Sequence, residues 1–442
     1  MKVSEFYKQE FVDFASYSTI RMIGSAIDGM KNVHRKIINT VIDKNIKTEI
    51  KVSQLNSKVA EYTEYLHGDS SSTISGMAQN FAGTNNVPLL AAEGNFGNRF
   101  KNEPSAPRYI FTYGLPILFD LINSDDNEIL DKQFFEGTQI EPRFYVPELP
   151  LLLINGSNGI ASGFKQTLLP RNPSDILKYL RGFLSGKIKT KVFDDKPWFN
   201  GFNGTVEHGE NSRQWKIKGV FERTNTSTVT ITEIPVGIEL PKYIEVLNEL
   251  REANKIKSFK DMSDKNTFKF VIKFERVVLE PLTDDDLMEM LKLIKTETEV
   301  YVAIDENMKV KTFESVGEIF LYYIEVKAKY LKKRKEYIIK KLDDEIQLDN
   351  SKYHFIKMIV DDKLVVNKRS ADDISKDLDK VEHIIKVNDS YSYLLNMSIG
   401  SLTKEKLDSL SNSIITKKEE MKTIKSKTIN EIWLEDISKL KF

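Results

Sequence analysis

The sequence predicts a multidomain α+β protein that ends in a long antiparallel coiled coil. Three observations support this prediction. The first third of the chain has apolar residues at helical spacing between short turns, and the segment 206–274 alternates apolar and polar residues as strands do. After about Val316, two segments far apart in the chain each carry a narrow apolar seam among charged residues, which is typical of coiled-coil helices.

Composition is that of an ordinary folded protein. The 442 residues suffice for two to four domains, and 40% apolar with 29% charged residues shows no bias towards disorder. The absence of cysteine excludes disulfides and thiolate metal sites and fits a reducing cytosol, so we expect a cytoplasmic location. The sequence has no run of 18 apolar residues and no apolar signal core at its start, so no membrane partner is expected.

Charge is balanced over the whole chain but not along it. The 65 lysines and arginines equal the 65 aspartates and glutamates, so the net charge argues neither for nor against a nucleic-acid partner. The segment from Arg21 to Lys36, however, carries four cations against Asp28 alone. A local basic site of this kind can hold phosphates without making the protein basic.

The first third predicts helices over Phe11–Ile23 and His34–Asn45, separated by the glycine-containing turns at Gly24 and Gly29. A further helix is expected after Ser70, because Asp and Ser can cap its free N–H groups. Short helices around a turn, followed by extended segments, indicate a winged helix-turn-helix.

The middle of the chain predicts mainly strands. From Phe111 to Asn172 it is rich in Gly, Pro and Asn, with short apolar strands such as Leu151–Ile154. Alternating runs at Gln214–Val220 and Thr228–Thr232 predict half-buried strands, and Pro241–Ala253 predicts a helix between strands. Together these elements indicate an α+β domain.

The C-terminal third predicts two long helices that pack antiparallel around a compact helical insert at about 352–401. We place the three domains at 1–130, 131–315 and 316–442. The two apolar seams consist of Ile324, Ala328, Leu331, Ile338 and Leu342, and of Leu407, Leu410, Ile414, Met421 and Ile424.

Tyr109 is distinguished from the other tyrosines by its setting. Composition cannot select a nucleophile among 17 tyrosines, but Arg108 precedes this one, the prolines Pro104 and Pro107 stiffen its approach, and the glycine-rich Glu93–Gly97 lies just upstream. A phenol attacks phosphorus well only where cations stabilise the developing charge, and a guanidinium suits phosphate geometry. The alternative, a surface arginine beside a packing tyrosine, stays open on these residues alone.

A series of motifs then resembles the breakage–reunion region of type IIA DNA topoisomerases, the family that contains the A-subunits of gyrase and topoisomerase IV. The motifs follow the family's order and approximate spacing and extend over nearly the whole chain. They are Arg21–Lys36, Tyr65–Ser70, Met77–Phe81, Glu93–Gly97, Pro107–Tyr109, Pro150–Gly163, Thr232–Pro235 and Tyr393–Met397.

The resemblance implies a DNA-cleavage and religation subunit with a winged-helix cleavage domain, a tower domain, and a coiled coil with a small helical C-gate. It implies Tyr109 as the nucleophile, with Arg108, Arg21 and His67 as catalytic partners. The implied DNA-contacting residues are Lys31, His34, Arg35, Lys36, Asn155, Ser157 and Ile160.

Several of these roles have alternatives. Ile160 resembles the apolar wedge that bends a bound duplex, and Gly159 before it and Gly163 after it favour an exposed turn over a buried strand. Asn155 and Ser157 contact DNA or serve only as turn residues. His34 also has two alternative roles: it reaches DNA or merely caps a helix.

The sequence departs from the family pattern at several positions. Gly24 and Asn32 replace two usual prolines, so a looser loop is expected there. Tyr65-Leu66-His67 stands where many bacterial relatives have His-Pro-His, which makes His67 the better candidate and leaves Tyr65 unassigned.

The implied partners are double-stranded DNA, a second copy of this chain, and a separate subunit that carries the ATPase and most ligands of the Mg²⁺ ion. Consistent with this division, the sequence has no G-x-x-x-x-G-K-[ST] phosphate loop. Asp284, Asp285 and Asp286 are candidate Mg²⁺ ligands, but they open a helix, where carboxylates favour the dipole, and capping is the preferred interpretation. The alternative function is a non-catalytic, architectural DNA-binding protein with a winged helix and a coiled coil.

Overall fold

The computed structural model describes residues 7–188, 196–264 and 267–442, so the first six residues of the first predicted domain lie outside the described residues. Two compact units are present. The first comprises the chain up to Ala328 together with Trp433–Phe442, and the second is Lys329–Ile432. Among the described helices, none has the length and apolar character needed to cross a membrane.

The N-terminal part of the first unit is helical, as predicted. Helix α2 is amphipathic and buries Ile37, Ile38 and Val41 completely, which fixes its inner face. A two-stranded antiparallel sheet pairs Ile50 with Thr112, so residues far apart in sequence meet beside these helices. The elements are α1 (Glu10–Met22), α2 (Asn32–Asp43), β1 (Ile50–Lys51), α3 (Val52–Thr63), α4 (Ser71–Ala78) and β2 (Phe111–Thr112).

The following segment corrects one prediction, because Leu151–Ile154 forms a helix and not a strand. These four leucine and isoleucine side chains are all buried, and a run that is apolar on every side has no periodicity to separate strand from helix. The elements here are α5 (Pro116–Leu121), a 3₁₀ helix (Ser124–Glu128), β3 (Lys132–Phe135), β4 (Thr138–Pro142), α6 (Leu151–Asn155), β5 (Ser157–Ala161) and β6 (Phe164–Leu168).

The α+β character predicted for the middle of the chain is confirmed. Strands β11, β12, β10 and β9 form a four-stranded antiparallel sheet in that order, and β13, β8 and β7 form a second sheet. The elements are α7 (Pro173–Leu184), β7 (Thr205–His208), β8 (Gln214–Lys218), β9 (Val220–Asn225), β10 (Thr228–Glu233), α8 (Leu240–Glu252), β11 (Ser258–Asp261), β12 (Phe270–Lys273), α9 (Arg276–Leu279), α10 (Asp284–Met290), β13 (Ile294–Thr298), β14 (Val302–Ile304) and β15 (Val310–Thr312).

The C-terminal helices confirm the predicted antiparallel coiled coil. Lys335 on the first long helix donates to the carbonyl of Lys425, whereas Asp349, further along that helix, accepts from Lys417, so the two helices run in opposite directions. A separate apolar core that includes Phe355, Leu378 and Leu394 holds the insert. The elements are α11 (Val316–Val360), α12 (Ala371–Leu378), α13 (Ser392–Leu395), a 3₁₀ helix (Ile399–Ser401), α14 (Lys404–Ser426) and α15 (Ile429–Ser438).

Candidate active site

The turn between α1 and α2 is fixed by one buried carboxylate. Asp28 is fully buried, and its Oδ1 accepts from the N–H of Met30 at 2.9 Å while its Oδ2 accepts from Arg35 Nε at 2.8 Å and from the N–H of Tyr145 at 2.9 Å. Gly29 has a positive φ of 69°, and a Cβ there would lie 2.5 Å from the backbone nitrogen of Leu152. Only glycine fits this close approach, and the turn therefore has a single geometry.

The structure corrects the predicted DNA contacts of Arg35 and Lys36. Both side chains are buried, Arg35 against Asp28 and Lys36 against Glu141 with an Nζ–Oε2 distance of 2.9 Å. Reaching a phosphate would leave each carboxylate buried without its partner, which is strongly unfavourable. These two cations stabilise the fold and do not form a DNA-binding surface.

Arg21 and Lys31 from the same basic segment have no carboxylate partner among the described residues. Lys31 Nζ donates to the carbonyl of Asn158 at 2.6 Å and lines a cavity of about 150 Å³, and burial lowers its pKa. Arg21 lines a larger cavity of about 460 Å³ together with His67. Cations without a carboxylate partner are available to phosphate oxygens.

His67 sits between two tyrosine rings at this larger cavity. Its Nε2 is hydrogen-bonded to the hydroxyl of Tyr17, and the edge of the Tyr65 ring packs on it with centroids 5.9 Å apart. Partial desolvation and the cations of Arg21 and Lys36 lower the pKa of His67, so the neutral imidazole is favoured. No sequence signal indicates a role for Tyr17, because it lies 50 residues from His67 and belongs to none of the motifs.

Tyr109 is exposed on a constrained turn. Its side chain is 66% exposed, and the guanidinium carbon of Arg108 lies 4.8 Å from the centroid of its ring. Its own N–H donates to the carbonyl of Ala106 at 2.9 Å, and Ile110 behind it is buried. The phenolic hydroxyl is therefore available to solvent or a bound strand, with a cation beside it.

Hydrogen bonds to backbone carbonyls hold the loop upstream of Tyr109 at two places. Gln79, just after α4, donates to the carbonyls of Phe96 and Asn102 at 2.8 Å each. Arg99 crosses to the α+β domain and donates to the carbonyls of Ile234 at 2.7 Å and Ile238 at 2.8 Å. The Thr232–Pro235 motif thus has a structural role, because the Ile234 carbonyl within it accepts a hydrogen bond from Arg99.

Tyr109 and His67 lie at opposite ends of α3. At its N-terminal end, the N–H of Val52 donates to Ile110 and that of Ser53 to Pro107, whereas His67 follows its C-terminal end. The helix has 12 residues, which corresponds to about 18 Å at 1.5 Å per residue. A single chain therefore does not bring the phenol to Arg21 and His67, although the family resemblance implies that all three act in one site.

The β5–β6 hairpin presents Ile160. Its side chain is 74% exposed, as expected, but the residue lies in strand β5 rather than in a turn, and its role as a wedge stays a prediction. The hairpin lies on the end of α1, because a Cβ at Gly159 would collide with the carbonyl oxygen of Met22. Gln166 on β6 also accepts from the N–H of Gly24 at 2.8 Å and donates to its carbonyl at 3.2 Å, so this position is not the loose loop expected there.

Asn155 and Ser157 are engaged within the protein. The Asn155 amide bonds both backbone groups of Val87 at 2.8 and 2.9 Å, and the Ser157 hydroxyl donates to Gln166 at 2.8 Å. Neither is a turn residue, since Asn155 ends α6 and Ser157 begins β5, and their contact with DNA stays a prediction. His34 lies in the first turn of α2, where burial and the cations of Lys31 and Arg35 lower its pKa to about 3.

Asp284 and Asp286 do not provide free metal ligands. Asp286 forms a capping box with Thr283, and Asp284 pairs with Arg223 at 2.8 Å. Across residues 7–188, 196–264 and 267–442, no group of three or more His, Asp or Glu is arranged to hold a metal ion. This acidic run therefore fits helix capping, the interpretation preferred from the sequence.

Comparison with known proteins agrees with this architecture. Residues 21–439 match the family model of the DNA gyrase/topoisomerase IV A-subunit. The mitochondrial DNA topoisomerase 2 of Dictyostelium discoideum is 34% identical over 99% of this chain, and DNA topoisomerase 2 of Invertebrate iridescent virus 6 is 30% identical over 100% of it. The chain spans 35% and 39% of the length of these two relatives.

A solved structure is similar as well. The crystal structure of the Plasmodium falciparum topoisomerase II DNA-binding, cleavage and re-ligation domain superposes with a TM-score of 0.88 at 29% sequence identity. The similarity covers 98% of this chain and 63% of that chain. The predicted fold class is thereby confirmed over nearly the full length.

Proposed function

The chain belongs to the DNA gyrase/topoisomerase IV A-subunit family, and we propose that it is the DNA-cleavage and religation subunit of an ATP-dependent type IIA topoisomerase. The observation that supports this most directly is the exposed Tyr109 on a braced turn beside the Arg108 guanidinium. In the proposed activity, two such tyrosines open a transient double-strand break through which a second duplex passes.

The reaction is an exchange of phosphodiester bonds. The phenolic oxygen of Tyr109 attacks a backbone phosphorus in line, the bond from phosphorus to the 3′ oxygen breaks, and that oxygen takes up a proton to become a free 3′-hydroxyl. The phenol loses its proton and retains the 5′ phosphate as a phosphotyrosyl ester. Since one phosphodiester replaces another, cleavage and religation are nearly balanced, and cations such as Arg108 accelerate both directions by stabilising the charge on phosphorus.

We propose that each active site is completed by a second copy of the chain. The roughly 18 Å of helix between Tyr109 and His67 exceeds the reach of a phenol to groups that act on the same phosphate. Two-fold symmetry would bring Tyr109 of one copy to Arg21 and His67 of the other, and it would place two cuts on opposite strands.

Mixed dimers test this arrangement. Tyr109→Phe chains are expected to be inactive and Arg21→Ala chains to cleave about 100-fold more slowly, whereas their mixture contains heterodimers with one intact site and one doubly defective site. Those heterodimers should nick DNA at the wild-type rate and attach to one strand. If the sites are built within one chain, every site in the mixture carries a defect and no nicking faster than the cleavage by Arg21→Ala occurs.

The remaining parts of the proposal concern partners and source. We assign the bound Mg²⁺ and the ATPase to a separate subunit, and we propose a likeness to the medium subunit of T-even bacteriophage topoisomerase, acting in the cytoplasm of an infected cell. On this proposal the isolated chain binds duplex DNA but neither hydrolyses ATP nor relaxes supercoils.

The decisive experiment is a cleavage assay with the partner subunit, Mg²⁺ and supercoiled plasmid, quenched with detergent and digested with protease. Wild-type protein should yield linear, protein-linked DNA, and Tyr109→Phe should yield none while it still binds DNA. Tyr113→Phe is the matched control, since the hydroxyl of this nearby tyrosine lies 3.4 Å from the Glu93 carboxylate and removing it leaves the phenol of Tyr109 in place. Covalent adducts formed by Tyr109→Phe would contradict the proposal and favour an architectural DNA-binding role.

A further inference from the structure

We propose that Tyr17 is a positioning residue for His67, which it holds in one orientation and one tautomer through the hydrogen bond between its hydroxyl and Nε2. This inference rests on the proposed function, because it assigns His67 a part in DNA cleavage. The two residues come from separate elements, helix α1 and the segment after α3, and are 50 positions apart.

Helix α1 places the hydroxyl beside the candidate cation. Tyr17 and Arg21 are four residues apart on this helix, so their side chains lie on the same face one turn from each other. Both line the cavity of about 460 Å³ that also receives His67. The same helix therefore supplies a phosphate-binding cation and a partner for the imidazole.

We infer that the hydroxyl is the donor in this hydrogen bond, because a phenol is a stronger donor than acceptor, and this direction selects the tautomer. A tyrosine hydroxyl ordinarily keeps its hydrogen at neutral pH and can donate it, and a neutral imidazole accepts at the nitrogen that has no hydrogen. With Nε2 as the acceptor, the ring hydrogen must be on Nδ1, and Nδ1–H becomes the only donor the ring can offer.

The charges around the cavity favour this neutral ring. Partial desolvation, together with Arg21 on α1 and Lys36 on α2, lowers the pKa of His67. The carboxylates that line the same cavity are Glu64, after α3, and Glu141, on β4, and Glu141 is already paired with Lys36. The imidazole thus faces one cation without a carboxylate partner among the described residues, Arg21.

Ring packing restrains the imidazole in addition. The Tyr17 ring lies 5.7 Å from it at 42°, and the Tyr65 ring lies 5.9 Å from it at 65°, so two aromatic rings limit its rotation. Tyr17→Phe would keep the ring contact and remove only the hydroxyl. The hydrogen bond can therefore be tested apart from the packing.

Nitrogen NMR of the full-length protein labelled with ¹⁵N-histidine reads the tautomer directly. The chain has five histidines, and His67→Gln assigns the signal of His67. We expect wild-type His67 to be a single tautomer protonated on Nδ1, and Tyr17→Phe to give an exchanging mixture. Tyr7→Phe, a tyrosine near the start of the same helical region, should leave the spectrum unchanged. An unchanged His67 signal in Tyr17→Phe would overturn the inference and leave Tyr109-dependent cleavage untouched.

Single-turnover cleavage with the partner subunit supplies the functional readout. Tyr17→Phe should slow cleavage about tenfold, the equivalent of one hydrogen bond, with DNA affinity unchanged. In the double variant with His67→Gln, the loss should equal that of His67→Gln alone, since the hydroxyl would act only through the imidazole. Additive losses, or full activity of His67→Gln, would overturn the positioning role, whereas the proposed function fails only if Tyr109→Phe still forms adducts.

Discussion

Arg35 and Lys36 lie in the interior with carboxylate partners, whereas Arg21 and Lys31, from the same basic segment, line cavities without such partners among the described residues. The two pairs are chemically alike and differ in what surrounds them. A cation bound to a buried carboxylate is committed to the fold, because removal of either member leaves an uncompensated charge. A cation with no such partner can bind a phosphate without breaking a buried ion pair. Basic character in a sequence motif therefore does not by itself identify a DNA contact.

The strongest test of this division is Arg35→Ala. Asp28 would remain buried without its cation, so we expect a loss of about 3–5 kcal/mol in the free energy of unfolding. Chemical denaturation measures it, with Arg21→Ala as the matched control, expected to change stability by less than about 0.5 kcal/mol. Equal stability losses in both variants would remove the distinction between the two arginines.

Arg21→Ala should instead affect the reaction. If its guanidinium stabilises the charge on phosphorus, its removal lowers the rate of strand cleavage about 100-fold, as loss of one preorganised donor does elsewhere. Single-turnover cleavage with the partner subunit measures this rate. A normal rate would show that the cavity containing Arg21 is not used in catalysis.

Ile160→Ala tests the hairpin beside these cations. The exposed side chain is expected to stabilise a bent duplex, so its truncation should reduce the bent population and weaken DNA binding about tenfold. Energy transfer between dyes at the two ends of a short duplex reports the bend. Val277→Ala, at another exposed apolar position, should have no effect on bending.

Lys31→Ala should weaken DNA binding modestly and in a salt-dependent manner. One lost phosphate contact lowers the slope of log K against log salt by about 0.9. Titrations at several salt concentrations measure the slope, and Lys36→Met provides the contrast, since a buried lysine makes no such contact. A changed slope in Lys36→Met would contradict its assignment to the interior.

His34 makes stability depend on pH. His34 stays neutral in the folded chain down to a pKa of about 3, whereas an unfolded histidine takes up a proton below about 6.5. The unfolded state then binds more protons between these values, so stability falls as the pH falls through this window. His34→Gln should reduce the decrease in unfolding temperature between about pH 7 and pH 5. An unchanged decrease would mean that His34 titrates normally.

How far the sequence predicts the molecule depends on the range of the interactions involved. Helical and strand periodicity located the N-terminal helices, the α+β domain and the coiled coil, because those patterns are local. The flanking glycines likewise indicated that Ile160 is exposed, although it lies in a strand and not in the expected turn. The run Leu151–Ile154 had no periodicity to read, since every side chain is buried.

The site residues show the same limit. Glu141, the partner of Lys36, lies 105 residues away, and Tyr17 lies 50 residues from His67, so neither pairing leaves a local signal. Asp28 and Arg35 are only seven residues apart, and this spacing was the one available hint that the arginine is paired. Motifs identified the chemistry that the segment can perform, while partners distant in the chain decide which of its cations are free to perform it.

The contact of Gly159 with the carbonyl of Met22 has a mechanical consequence. The end of the helix that carries Arg21 contacts the hairpin that carries Ile160 directly through backbone atoms. No side chain lies at this contact that could change conformation and let the two elements move apart. On the proposed function, the protein then fixes the number of base steps between the inserted Ile160 side chain and the phosphate held at Arg21. A duplex would be kinked at a constant offset from its cut, whatever its sequence.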